Sequence, residues 1–335
     1  MMDTSTHIAM GFGLAGLSYL DPAVAANPNL ANAVLIGTVI GSNAPDFDYI
    51  IKLLKGNGMY TEHHRGVSHS IPALFLWTAA LSFLIYLPFS DISFFTLLCW
   101  TFAAVFLHIA FDIFNSYGTQ AARPFTKKWL SLNFIPLFDP FIMALHIIGF
   151  ILWMITFSPG FIFFYIYIIL FIYLITRFIL SRKAIRLAER LADLNGVYTI
   201  IPTQSLFHWD IVIETDTVFF VGMVHYRQQK LKVIHHFEKM NAEEAPVLMA
   251  SKDQNVQHFL ANSDHTHIIV QRTEHGFEVR WVDLRFRFKE DYPYMATVLL
   301  ADNYEVISSH TGWIHKPKKK QEQMLKKTRS QSTTF

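Results

Sequence analysis

The chain has 335 residues, of which 52% are hydrophobic and 16% charged, with a formal net charge of +2. A soluble domain carries about 25% charged residues, so this composition excludes an ordinary soluble protein of uniform character. The single cysteine, Cys99, excludes an internal disulfide and a cysteine-based zinc cluster.

Charge is distributed unevenly. Before Arg177 the only basic residues are Lys52, Lys55, Arg65, Arg123, Lys127 and Lys128; beyond it the composition is that of a soluble protein. This shift divides the chain into a transmembrane domain at 1–180, a connecting helix at 181–195, a β-rich domain at 196–315 and a basic, disordered tail at 316–335. No basic residue precedes Lys52, which is unlike a cleaved signal peptide.

Taken in order, the first apolar runs are 7–20 and 30–44. Both are short and contain glycine, and they read as short spans or as a re-entrant hairpin packed against protein. The runs at 71–87 and 141–157 are slightly short of a span. Those at 94–114 and 160–180 meet the requirement of about 20 apolar residues for a ~30 Å hydrocarbon core. The predicted fold class is thus an α-helical transmembrane bundle of about six helices, two of them short, followed by a mainly β cytoplasmic domain. With both termini inside, the inner loops hold every Lys and Arg that precedes Arg177, and the basic cluster after it is inside as well. The outer loops near 21–29, 88–93 and 158–159 hold none, as the positive-inside rule requires.

That topology brings the ionisable residues of the membrane part to one face. His7 begins the first segment, and Asp46 and Asp48 follow the second. His63, His64, Arg65 and His69 precede the third, His108 and Asp112 close the fourth, and Asp139 precedes the fifth. His108 and Asp112 are four residues apart, so they project from one helix face, and ionisable groups inside a span are expensive and usually functional. Imidazoles with carboxylates suit zinc, most of all, or manganese or iron, and this number of carboxylates could hold one ion or two. The expected metal residues are His7, Asp46, Asp48, His64, His69, His108 and Asp112, with His64 favoured over His63. Asp139 is a further ligand or general base, or alternatively the N-cap of the next helix. Arg65 is expected to orient an anionic group. His146 stands alone on its segment and reads as packed.

At these residues the chain resembles the YdjM-like (LexA-regulated) family of membrane-bound, metal-dependent hydrolases. The resemblance runs through Thr6-His7, Pro45-Asp46-Phe47-Asp48, His64-Arg65-Gly66-Val67-Ser68-His69-Ser70, His108-Ile109-Ala110-Phe111-Asp112 with Gly118 beyond it, and Phe138-Asp139-Pro140. Ser68 stands where the family often has Thr. The resemblance covers about residues 1–180 and implies an inner- or plasma-membrane enzyme with a metal-dependent hydrolase site. Location at headgroup level points to membrane lipids as partners and to a lipid or lipid-linked phosphoester as substrate. Two other readings use the same residues: a metal transporter, and a membrane-tethered regulatory protein with a structural metal.

Past the basic cluster, 182–194 reads as a helix ended by Asn195-Gly196. Strand-like runs follow at 209–214, 218–226, 267–272, 277–288 and 296–307, predicting an antiparallel sheet with one wet face. This part holds ten of the sixteen histidines, but His235-His236 and His265 with His267 have no specific metal-site spacing. Interleaved acidic residues argue against nucleic acid as a partner.

Overall fold

The structure, a computed structural model, describes residues 4–48, 65–89, 91–155, 158–240, 242–274 and 276–314. The first part is helical: α1 (Thr4–Leu17), α2 (Pro22–Ala26), α3 (Pro28–Gly41), α4 (Ile71–Tyr86), α5 (Phe94–Phe114), α6 (Pro140–Ile155) and α7 (Pro159–Ala192). Polar caps set the helix starts. Asn27 before α3, Ser70 before α4, Ser93 before α5 and Asp139 before α6 each accept a backbone N–H of the first turn, satisfying donors that a helix cannot satisfy itself.

Among the described residues, α5 and α7 are long and apolar enough to cross a membrane. Helices α3, α4 and α6 are apolar but have 14, 16 and 16 residues, roughly 21–24 Å at 1.5 Å per residue. Of the six expected spans, two therefore reach full length. The predicted 7–20 run stops early because Ser18–Leu20 tighten into a 3-10 turn. Ile151, Met154, Phe161 and Phe171 lie exposed on α6 and α7, an apolar surface of the kind lipid covers.

Helix α1 is central and packs on α3, α5, α6 and α7. Small residues permit this. A Cβ on Gly11 would stand 2.8 Å from the Val39 Cα of α3, and one on Gly16 would overlap the Phe163 ring of α7. Close approach through small residues is the usual way apolar helices associate where lipid removes the hydrophobic drive.

The predicted span and connecting helix are one continuous helix, α7. No breaker separates them, and Ala184, Leu187 and Ala188 continue a buried stripe at helical spacing. The helix ends at Ala192, before the expected Asn195-Gly196, because Asp193 adopts a left-handed conformation and its N–H returns to the Glu189 carbonyl.

Eight strands follow: β1 (Val197–Pro202), β2 (His208–Glu214), β3 (Val218–His225), β4 (Lys230–Glu238), β5 (Thr266–Thr273), β6 (Gly276–Asp283), β7 (Tyr294–Leu300) and β8 (Val306–Trp313). They form two antiparallel four-stranded meanders, β1–β4 and β5–β8, where one sheet was expected. Helices α8 (Ala245–Ala250) and α9 (Gln254–Leu260) lie between them in sequence. Packing orders the layers. Trp209, Ile211 and Ile213 of β2 pack on the buried stripe of α7. Val212 and Val221 turn the other way, onto Val282 and Met295 of the second sheet. That sheet turns Val279, Trp281, Ala296 and Val298 onto α8 and α9. Every residue of β7 is buried, so the predicted wet face is absent there: one side meets helices and the other meets a sheet.

Arg177 ties the helical part to the first sheet. Its guanidinium donates to the carbonyls of Phe134 (2.7 Å) and Thr203 (2.9 Å), lies 4.9 Å over the Trp209 ring and stands 3.8 Å from Asp139. Breaking a buried, hydrogen-bonded charge pair by removing one partner costs about 3–5 kcal/mol. Arg177→Ala should destabilise the detergent-purified chain by that amount, and Arg177→Lys should recover only part, because an ammonium cannot span these acceptors. Thermal unfolding checks this; a loss below about 1 kcal/mol for the alanine variant, the scale of an exposed ion pair, would refute the anchor.

Candidate metal centre

Three segments deliver four ligand atoms to a common point. Asp46 comes from the 3-10 turn Ala44–Asp48 that follows α3, and His69 from the 3-10 turn Val67–His69 that precedes α4. His108 and Asp112 come from the last turns of α5. His69, His108 and Asp112 are fully buried, and the Asp46 side chain keeps 11% of its surface. The two imidazole Nε2 atoms face each other at 3.2 Å. Asp46 Oδ1 lies 3.5 and 3.6 Å from them, and Asp112 Oδ2 lies 3.3 and 3.6 Å from them. All four atoms fall within 4.8 Å of one another.

This arrangement fits a small divalent cation. A ligand atom about 2.1 Å from a tetrahedral ion is about 3.4 Å from its neighbours, close to the imidazole–imidazole and imidazole–carboxylate separations here. The tautomers agree with it. His108 Nδ1 is 2.7 Å from the Ser42 carbonyl oxygen, which can only accept, so Nδ1 carries the hydrogen and Nε2 presents a lone pair. His69 Nδ1 is paired with Ser68 Oγ at 2.9 Å, again leaving Nε2 toward the cluster. Both carboxylate oxygens of Asp46 and Oδ2 of Asp112 have no hydrogen-bond partner among the described residues, and buried acceptors are rarely left so without an ion or water.

Electrostatics favour the same state. Burial opposes the charge on Asp46, but the neighbouring His108 and His69 imidazoles outweigh it and hold the carboxyl well below the usual carboxylate range. Burial likewise opposes charge on His69, yet Asp112 and Asp46 together raise its pKa. The cluster therefore attracts positive charge.

Asp112 divides its carboxylate between two tasks. Oδ2 faces the imidazoles, while Oδ1 accepts from Arg65 Nη2 at 2.7 Å and from Asn115 Nδ2 at 3.2 Å. Arg65 Nη1 also donates to Asn115 Oδ1 (3.2 Å) and to the Gly118 carbonyl (3.4 Å). Gly118 has φ +69°, and a Cβ there would collide with the Leu130 carbonyl, so the loop requires glycine.

The expected residues divide accordingly. Asp46, His69, His108 and Asp112 come together. His7 borders them: its ring stacks on His108 at 4.0 Å, Nε2 is 3.7 Å from Asp112 Oδ1, and neither ring nitrogen has a hydrogen-bond partner among the described residues. His63, His64 and the Asp48 side chain lie outside the described residues. Arg65, expected to orient an anion, is buried on Asp112. Asp139 accepts from Phe141 N (2.9 Å), Ile142 N (3.3 Å) and Tyr173 Oη (2.7 Å), so its capping reading holds and its oxygens are engaged away from the cluster. His146 is buried with Nδ1 donating to the Ile142 carbonyl at 2.8 Å. His235 and His265 pair with Glu290 and Glu214, and among the described residues no second group of three such ligands gathers. Sequence reasoning missed Asn115, which lies at i+3 from Asp112 and so on its face. It also missed Ser42, whose contribution is a backbone carbonyl and carries no side-chain signal.

Residues 2–184 match the family described as YdjM inner membrane protein, and residues 246–324 match a YfhP C-terminal alpha/beta plait domain. A protein of Bacillus subtilis (strain 168), described as "Uncharacterized protein YfhP", is 39% identical over 325 residues, covering 96% of this chain and 98% of that one. No solved structure matches.

Inductively coupled plasma mass spectrometry on purified protein should find roughly one divalent ion per chain, lost in His69→Ala and His108→Ala and retained in Asp139→Asn. A folded wild-type chain that stays metal-free after loading with zinc, manganese or iron would remove the case for a metal centre.

Proposed function

The chain belongs to the YdjM inner membrane protein family, and from that membership together with the buried ligand cluster we propose that it is a membrane-bound, metal-dependent hydrolase. Its centre lies at the cytoplasmic membrane face, on a multi-pass helical bundle with both termini inside, and it acts on a lipid or lipid-linked phosphoester. The observation that carries this reading is the convergence of Asp46, His69, His108 and Asp112 on one buried point.

Zinc is the first expectation, from two imidazoles and two carboxylates, with manganese or iron also compatible. When bound, such an ion supplies Lewis-acid polarisation of a phosphoryl or carbonyl oxygen and a water of much reduced pKa. The chain's own residues do the rest. Asp46, charged and set beside the two imidazoles, can accept a proton at the centre. Asp112, fully buried, holds its orientation through Arg65 and Asn115. Arg65 and Asp139 act as positioning groups in this scheme, because their hydrogen bonds go to protein atoms. His7, Asp48 and His64 are proposed to complete the ligand set or its immediate support.

The membrane-facing approach supports an amphiphilic substrate. Phe47, beside Asp46, is 48% exposed, and Val67 and Ile71, flanking His69, are 59% and 42% exposed. Apolar side chains next to a charged centre suit a molecule with an anionic head and a hydrocarbon tail.

The test is metal-dependent release of product from phospholipid vesicles, lipid-linked phosphates and water-soluble phosphoesters, assayed side by side with full-length protein. Activity should vanish with chelator and return with metal, and Asp46→Asn should lower kcat at least 100-fold with little change in Tm. A metal-loaded chain that cleaves none of the panel, or an Asp46→Asn variant as active as wild type, would overturn the hydrolase reading.

A further inference from the structure

Residues 115–117 are gripped from both sides. On the helical side, Asn115 Oδ1 accepts from Arg65 Nη1, from Tyr117 N at 2.8 Å and from Gly118 N at 3.3 Å, while its amide donates to Asp112. On the other side, the Tyr117 ring is built into the second sheet's core. It stacks on Phe286 with centroids 4.4 Å apart and meets Tyr294 edge-on at 5.8 Å. The Arg65 guanidinium lies 5.5 Å from the centroid of the same ring. Between these contacts, Arg285 Nη1 donates to the Ser116 carbonyl at 3.2 Å. Arg285 is itself fixed by a fork onto Asp283 and by a bond to the Asn262 carbonyl at 2.9 Å.

The path from the sheet to the ligand atoms is therefore short: Arg285 and Tyr117 to the 115–117 backbone, Asn115 to Arg65, and both to Oδ1 of Asp112. The Tyr117 hydroxyl has no hydrogen-bond partner among the described residues, so the ring, rather than the polar tip, makes this contact. Partners that orient a metal ligand commonly change metal affinity 10- to 100-fold when removed.

We propose that the second sheet is part of the metal centre's support: Tyr117 and Arg285 are positioning residues that hold Asn115 and Arg65 on one oxygen of Asp112, so that its other oxygen stays turned to His69 and His108. This rests on the reading of the cluster as a metal centre. A contact that merely docked two parts of the protein would change stability and leave metal affinity alone.

The experiment is a competitive chelator titration of zinc, and separately of manganese, on the full detergent-purified chain, with Tm measured in parallel. Tyr117→Phe should bind as wild type does. Tyr117→Ala and Arg285→Ala should bind at least tenfold more weakly. Val298→Ala, which loosens the same buried cluster and leaves the Tyr117 and Arg285 side chains unchanged, should lower Tm and keep wild-type affinity. Should the alanine variants fail to fold, Tyr117→Leu and Arg285→Lys carry the same comparison, since neither keeps both the stacked ring and the span to Ser116. Wild-type affinity in the Tyr117 and Arg285 variants, or an equal loss in Val298→Ala, overturns this inference and leaves the metal centre standing. A wild-type chain that binds neither ion overturns both.

Discussion

The ion pair between Asp112 and Arg65 is the contact on which the candidate centre depends. Both side chains are buried, at 2.7 Å, and a buried carboxylate persists as an anion only if its charge is met nearby. Arg65 meets it on one oxygen and leaves the other for the imidazoles. Asp46 adds a second negative charge with no guanidinium of its own among the described contacts. Two carboxylates against one guanidinium leave a net negative charge, which a proton on His69 or a divalent cation can balance. The raised pKa of His69 is the metal-free form of that balance. A divalent cation answers it more fully, because it satisfies the lone pairs of two imidazoles that otherwise oppose each other at 3.2 Å.

The fold supports this charge arrangement with element ends rather than element middles. Asp46 and His69 stand on single 3-10 turns, and Asp112 is followed within three residues by the loop that contains Asn115 and Gly118. Turns have little packing of their own to hold a side chain, so the orientation comes from hydrogen bonds: Ser42 to His108, Ser68 to His69, Arg65 and Asn115 to Asp112. Burial then raises the cost of losing any one of them. Rigid packing of α1 through its glycines supplies the frame against which His7 and His108 stack.

Much of this was legible in the sequence because its signals were local. The pairing of His108 with Asp112 follows from helical spacing, the long apolar runs at 94–114 and 160–180 from length alone, and Asp46 and His69 stood out as ionisable residues at the ends of apolar runs. What was not legible depends on long-range partners. Arg65 looked like an anion clamp because nothing local reveals that Asp112 lies beside it, 47 residues away in sequence. Asp139 offered two readings, and the backbone of α6 selects the cap. The run at 277–288 looked like one strand. It breaks after Asp283, where that carboxylate accepts from the Arg285 backbone and side chain. Strand β4 escaped notice because Lys230, Lys232, His235 and His236 carry little apolar alternation, and β7 misled because both its faces are covered.

The same long-range contacts bear on whether the two parts of the chain can be separated. A composition shift near Arg177 suggests a membrane unit with an appended soluble unit, and such units usually meet through modest polar surfaces that leave each one intact. Here the join is of another kind. Arg177 satisfies carbonyls on both sides of it, Trp129 donates from the helical part's loop to the Ala261 carbonyl, and Tyr117 occupies a place in the core of the second sheet. Removing the sheets would leave Arg177 short of its Thr203 acceptor and its Trp209 face, and would strand an aromatic ring in water one residue from Ser116 and two from Asn115. The B. subtilis relative, matched across 98% of its length, holds both parts as well. A truncation at the compositional boundary is therefore a change to the candidate metal centre's surroundings and not a clean subtraction of a domain, so loss of function in a truncated chain does not by itself assign that function to the sheets.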